Sequence, residues 1–524
     1  MLYDNTNFDN FAERQPDSQH SARLEGFPLN FTTPDASIKT SHNDKHNHQP
    51  IDYLATASNS LITPEQLAAE KAKEEAEAAL LNAGAHDEGN AQCVLLRHPG
   101  LFLYTEAYGW LHRAGGHWTA ERAEATLNQK VVETMHARIA AVGASGKAEQ
   151  YAQVIKKAIP DNSRVLGAIG RLKPLVEATA AEFDTDPNIL NCPNGVVDLR
   201  TGELRSHSAS DRFMHCTSVA YNPNADQSIW TNWLSDAVGL DVCEWLQIAI
   251  GYTLTGYTRE EILFYLFGPP RAGKGLFTET IAAMLGEPLA KEVNFSTFTA
   301  QRTGDSQNFD LAPLKPCRMV AASESNSYER FNEAKVKALT GGNEVYCAFK
   351  HRTHFSYRPT FKIWLSSNQP VNADPDDDAV WGRLRVIEFL HCHLNREDKT
   401  LKQKFRSAAV LEGVLAWAVA GAVRWFQLGS DGLTEIESGR RLKEAQRGEL
   451  DNVKIWLEEC CNVGGDGFTA NSMLYLSYEK WCKENGVEPK KQKGFSQALL
   501  RKGYQNKLTK LDGKMIRGFL GIAI

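Results

Sequence analysis

Residues 262–275 read Ile262-Leu263-Phe264-Tyr265-Leu266-Phe267-Gly268-Pro269-Pro270-Arg271-Ala272-Gly273-Lys274-Gly275. Six apolar residues give way to a turn rich in Gly and Pro, and from Leu276 to Leu285 the pattern becomes helical. A strand apolar on both faces suits a parallel sheet. A glycine loop between such a strand and a helix lets backbone N–H groups wrap phosphates while the helix N-terminus points at them. Residues 268–276 are therefore expected to cradle phosphates, with Lys274 reaching the β and γ groups. Gly275 stands where a Ser or Thr usually holds magnesium, so the metal has to be held by water, phosphate and a carboxylate elsewhere. The plainer alternative is a strand-to-helix turn that happens to contain a lysine.

The same texture continues outward. Arg318 to Ala322, Phe361 to Leu365 and Leu384 to Ile387 are further short apolar runs separated by helical stretches, which predicts an α/β core with a parallel sheet covered on both faces. In such sheets the carboxyl ends of the strands line the ligand crevice. Glu324 closes the second run, and a carboxylate there can hold Mg²⁺ through water or polarise the attacking water; it could also be a solvated strand end. Asn368 ends the third run and could orient a water beside the γ-phosphate, or simply form the turn before Gln369-Pro370. Arg383 and Arg385 flank the start of the fourth. A guanidinium there could reach the γ-phosphate of a neighbouring subunit, or pair with Asp376 to Asp378. Between Tyr346 and Tyr357, strand-like segments flank Lys350, His351 and Arg352. That reads as a hairpin whose basic tip follows a nucleic-acid backbone, or as a solvated turn.

The 524 residues are enough for about three to four folding units, which excludes a single small module. The net charge of −6 alone argues against a nucleic-acid binder, but it is unevenly placed. Residues 1–90 carry 6 Lys+Arg against 15 Asp+Glu, whereas the last 44 residues carry 10 against 3, the footprint expected for phosphate-backbone contact. The expected organisation is a disordered polar arm over 1–62, a tethering helix over 63–90 and an α+β lead-in domain over 91–261. An ATPase core over 262–395, a helical lid and connector over 396–450, and a basic domain over 451–524 follow. Ten cysteines without a C-x-x-C pair make neither a disulfide framework nor a familiar zinc site. His391-Cys392-His393 cannot close on one ion if it is a strand, because neighbours alternate faces. The N-terminus lacks a signal-peptide pattern, and the longest apolar stretch, Gly413 to Val423, is far short of the ~20 residues of a membrane span, so a cytosolic protein is expected.

The ordered set of phosphate loop, strand ending in Glu324, Lys337-Ala338-Leu339-Thr340-Gly341-Gly342, basic hairpin, Ser367-Asn368 and Trp381-Gly382-Arg383 resembles superfamily 3 helicases. It looks closest to the poxvirus and phage/plasmid primase-helicase group. Asn194 to Gly202 and Gly251 to Gly256 resemble that group's lead-in domain, and the end of the chain is similar to its winged-helix-like segment. The resemblance implies an AAA+-type P-loop core, a hexameric ring hydrolysing ATP with Mg²⁺ between subunits, and translocation on single-stranded and forked DNA in a phage or mobile element. By position it makes Lys274 the phosphate binder, Glu324 the Walker B carboxylate, Asn368 the sensor and Arg383 the finger, and it puts Lys350 and His351 on the DNA-gripping hairpin. Gly382 departs from the second arginine common there, and Ser323 precedes Glu324 where two acids are usual. The acidic arm has no apolar strand ending in paired acids, so a separate primase or polymerase partner is expected. A replication initiator or loader without processive unwinding is the alternative. A small-molecule kinase would leave the basic hairpin and tail without a use.

Overall fold

The computed structural model describes residues 64–208, 210–299, 308–324, 330–349, 354–390, 400–511 and 513–524. The arm over 1–62, the basic tip Lys350-His351-Arg352 and His391-Cys392-His393 lie outside the described residues.

Five strands form one parallel sheet: β1 (Leu263–Phe267), β2 (Ala290–Asn294), β3 (Met319–Ser323), β4 (Lys362–Ser367) and β5 (Leu384–Glu388), in spatial order β5-β1-β4-β3-β2. Side chains alternate across the pleat, so each apolar run feeds two cores. Phe264 and Leu266 enter one with Trp364, while Leu263 and Tyr265 enter the other with Ile363 and Leu365. Phe264 and Trp364 stack at 4.0 Å on adjacent strands.

The first face is covered by α1 (Ser228–Val238), α2 (Leu240–Leu254), α3 (Lys274–Leu285) and, after the short α4 (Leu401–Phe405), by α5 (Ala408–Leu428). Helices α2 and α5 meet backbone to backbone. A Cβ at Gly251 would lie 2.0 Å from the Ala422 nitrogen, and one at Gly421 would lie 1.9 Å from the Gln247 oxygen. By length and composition α5 could cross a membrane, yet it serves as a core helix, with Val414, Trp417, Ala418 and Trp425 buried.

Two segments differ from the sequence expectation. Strand β2, Ala-Lys-Glu-Val-Asn, has no apolar run because it is a sheet edge with its charged residues partly solvated. The connector at the end of the 396–450 segment is itself a helix, α6 (Glu437–Leu450). Arg440 pairs with Glu437 and Glu444 on its outer side, and Leu442 and Leu450 pack on the second core.

Ahead of the core, helices Asp87–Arg97, Ala123–Ser145 and Asn162–Leu172 surround a small antiparallel sheet, Phe102–Thr105, Gly109–Ala114 and His117–Thr119. Asn194 to Gly202 lies in a hairpin in which Gly195–Asp198 pairs with Glu203–Arg205. Within the segment 63–90 the helix runs Pro64–Asn82, and a second helix begins at Asp87. Buried Arg138 donates to the Leu80 and Ala83 carbonyls and to Asn90 Oδ1, satisfying acceptors that a helix end leaves open. The C-terminal unit runs helix Asn452–Cys460, strand Asn462–Ala470, helices Asn471–Glu484 and Gln492–Arg501, then strands Asn506–Leu511 and Lys514–Ala523. Trp456, Tyr478, Phe495 and Phe519 form its separate core.

Candidate functional site

The loop between β1 and α3 is tight enough to demand its glycines. Gly273 has φ +97°, and a Cβ there would sit 2.9 Å from the Trp233 ring; one at Gly268 would sit 2.4 Å from the Phe389 carbonyl oxygen. Lys274 opens α3 and is only 6% exposed. Its ammonium donates to Gly268 O at 2.7 Å, Pro269 O at 2.9 Å and Asn368 Oδ1 at 2.7 Å. A buried ammonium needs such acceptors. The side chain is therefore folded back over its own loop and tied to the end of β4.

Strand order brings the other candidates to the same place. β4 lies between β1 and β3, with Ser366 opposite Ser323, so Glu324 and Asn368 leave the sheet side by side at its carboxyl edge. The Glu324 N–H donates to Ser366 O at 2.9 Å, and the Ser367 hydroxyl donates to the Glu324 carboxylate. A cavity of about 970 Å³ is lined by Lys274, Glu324 and Asn368 and also by Trp233, Asp236 and Leu401. The phosphate loop from Pro270 to Leu276 also lines it. Trp233 was not singled out from the sequence, and Ser367 entered only as the neighbour of Asn368 in the Ser367-Asn368 motif. Ser367 matters through a neighbouring strand, and Trp233 arrives from a helix about forty residues ahead of the loop.

The cavity suits a triphosphate because the N-terminus of α3, which has no side-chain cap, lies at a lysine that already binds oxygen acceptors. Oxygen donors for Mg²⁺ in the cavity are Glu324 with the Ser323 and Ser367 hydroxyls, a set compatible with an ion that keeps much of its water. Among the described residues no three His, Cys, Asp or Glu side chains cluster as metal ligands.

Arg383 is not at this cavity. It stands just before β5, at the opposite edge of a sheet whose strands span ~17 Å. It donates to Glu261 at 2.5 Å, Ala379 O at 2.8 Å and Thr340 Oγ1 at 3.1 Å. Arg385 bonds the Leu433 and Gly382 carbonyls. Among the described residues neither pairs with Asp376 to Asp378, the alternative left open by the sequence. Lys490 lies 2.9 Å from both Asp374 and Asp376, Arg501 donates to Asp376 O, Lys337 bonds Asp377, and Arg447 bonds Asp378. Burial opposes charge on Asp374, but the Lys490 and Asp376 N–H donors hold its carboxyl below the usual range. The loop between Asn368 and Arg383 is thus clamped by the C-terminal unit. At the base of the basic hairpin, Tyr346 stacks on His354 at 4.9 Å and Phe349 on Phe355 at 5.8 Å.

Residues 94–239 match a family described as D5 N terminal like, and 449–517 match one described as poxvirus D5 protein-like. Both occur in the order the sequence resemblance requires. The chain fits the D5-type primase-helicase group. Between them, residues 266–383 match a family of unknown function. A protein of Acanthamoeba polyphaga mimivirus named as a candidate helicase is 26% identical over 228 residues, covering 42% of this chain and 24% of that protein. A protein of African swine fever virus named as a candidate primase is 25% identical over 221 residues, covering 40% and 23%. The chain therefore matches about a quarter of the length of these relatives. Among solved structures, the apo C-terminal region of NrS-1 aligns over 80% of this chain and 95% of that one, at 13% identity and a TM-score of 0.45.

Proposed function

We propose that the chain is an ATP-dependent replicative DNA helicase of superfamily 3, working as a homo-hexameric ring on single-stranded DNA in a phage or other mobile element. The observation that carries the reading is the meeting of Lys274, Glu324 and Asn368 in one cavity at the carboxyl edge of a parallel sheet. The helicase and primase names of the viral relatives support a replication role.

Lys274 would exchange its carbonyl and Asn368 acceptors for phosphate oxygens when nucleotide enters. Glu324, steadied by Ser367, would then accept a hydrogen bond from the attacking water, and Asn368, released from Lys274, would orient that water. Bound Mg²⁺ supplies neutralisation of the phosphate charge. Arg383 cannot reach its own chain's cavity from the far edge of the sheet, which supports its supply to a neighbour's γ-phosphate and hence a ring. The C-terminal order of helix, strand, two helices and two strands supports a winged-helix reading, and its lysines supply a salt-dependent grip on the DNA backbone.

The test is strand displacement on a forked duplex with ATP, alongside ATP hydrolysis with and without single-stranded DNA. Unwinding coupled to DNA-stimulated hydrolysis is expected. DNA-stimulated hydrolysis without displacement would favour the initiator or loader, and hydrolysis indifferent to DNA would reject both. Lys350→Ala with His351→Ala should stop unwinding and spare basal hydrolysis.

A further inference from the structure

The cavity is lined by two kinds of chemistry. Lys274, Glu324 and Asn368 gather at the sheet, where terminal phosphates belong. Past the start of α3 the wall is Trp233 and Asp236 of α1 and Leu401 of α4. The Trp233 indole is fixed. It abuts the loop at Gly273, meets Phe405 edge-on at 5.1 Å and leans on Trp230 at 5.3 Å, yet stays partly open to the cavity. Asp236, one turn along the same face of α1, is exposed and makes no hydrogen bond or ion pair among the described residues. Lys402 bonds Glu279 of α3 at 2.9 Å, tying α4 to α3.

With phosphates held by residues 268–276 and the γ group nearest Glu324, the sugar and base must extend toward Trp233. We propose that Trp233 and Leu401 form the slot for the nucleobase and that Asp236 accepts a hydrogen bond from its exocyclic amine. Helix α1, which precedes the phosphate-loop sheet, thereby selects an adenine nucleotide. The inference rests on the phosphate-loop reading above. Aromatic rings stack on any base face, whereas a carboxylate only accepts, so it favours an amine over the carbonyl of hypoxanthine.

Titration calorimetry of the full chain with ATP, ITP and inorganic tripolyphosphate tests this, since tripolyphosphate offers the phosphates without a base. Trp233→Ala should weaken ATP about tenfold and leave tripolyphosphate unchanged, with Trp233→Phe restoring most of the loss. Leu401→Ala, on α4, should act in the same direction without altering α1. In turnover, KM for ATP should rise while kcat holds. Asp236→Ala should narrow the preference for ATP over ITP. Equal ATP affinity in Trp233→Ala and the unaltered chain, or equal loss of ATP and tripolyphosphate, would overturn the slot. An unchanged ATP-to-ITP ratio in Asp236→Ala would overturn the role of the carboxylate. If the unaltered chain bound neither ATP nor tripolyphosphate, the phosphate loop itself would be misassigned, an outcome distinct from failure of the slot.

Discussion

Replacing Lys274 by Ala should remove ATP hydrolysis while sparing the fold. In the free protein the ammonium makes three hydrogen bonds of 2.7–2.9 Å, to Gly268 O, Pro269 O and Asn368 Oδ1. Bound nucleotide would take over these donors, and each charge-assisted bond contributes about 1.5–3 kcal/mol. Two bonds to the β and γ oxygens make about 3–6 kcal/mol, part of which is offset by breaking the resident contacts. That leaves a loss of roughly 10²- to 10³-fold in kcat/KM. Asn368 lines the open cavity, where water can replace the ammonium, whereas Gly268 is buried and its carbonyl loses a donor, so stability should fall by about 1–3 kcal/mol. The assay is ATP turnover by purified protein, with calorimetric ATP binding and thermal unfolding in parallel. A folded Lys274→Ala protein with turnover within tenfold of the parent would refute the reasoning.

Glu324→Gln keeps shape and the Ser367 contact but removes the charge beside the water. It should bind ATP normally and lose roughly 10²-fold or more in turnover, whereas equal losses of binding and turnover would make Glu324 structural. Arg383→Ala alone should be inactive, and mixing it with Lys274→Ala should recover part of the activity, because an interface can then pair an intact loop with an intact arginine. Absence of recovery in verified mixed assemblies would place the finger elsewhere. Lys490→Ala leaves Asp374 and Asp376 without their shared cation and should lower stability by about 1–2 kcal/mol, read from the urea midpoint. Asp374 and Asp377 titrate below their ordinary value of 3.8, so their contribution is complete above that pH and fades as acid drives the folded carboxylates to protonate. Stability profiles should therefore lose part of their acid limb in Lys490→Ala, and superimposable profiles would exclude the clamp.

Most of the sheet was legible because β1, β3, β4 and β5 are buried on both faces and so read as unbroken apolar runs. Edge strand β2 did not, since Lys291 and Glu292 face partly outward. Helix α6 looked like a charged connector because its outer side is laced with Glu437, Arg440 and Glu444, and only Leu442 and Leu450 mark the side that packs. Lys274, Glu324 and Asn368 could be found because strand ends define the crevice, and linear order alone locates strand ends. Trp233 could not, because a helix far up the chain delivers it. The partners of Asp374 and Asp376 were equally hidden. Arg383 and Arg385 are nearer in sequence, but Lys490 and Arg501 come from a separate core more than a hundred residues on.

The most direct measurement is an experimental structure of the full chain with Mg²⁺ and a nonhydrolysable ATP analogue. The terminal phosphate should lie within hydrogen-bond reach of Lys274 Nζ, with the bond from Lys274 to Asn368 broken. An analogue bound anywhere else, or a cavity still bridged by Lys274 and Asn368 at saturating nucleotide, would contradict the account.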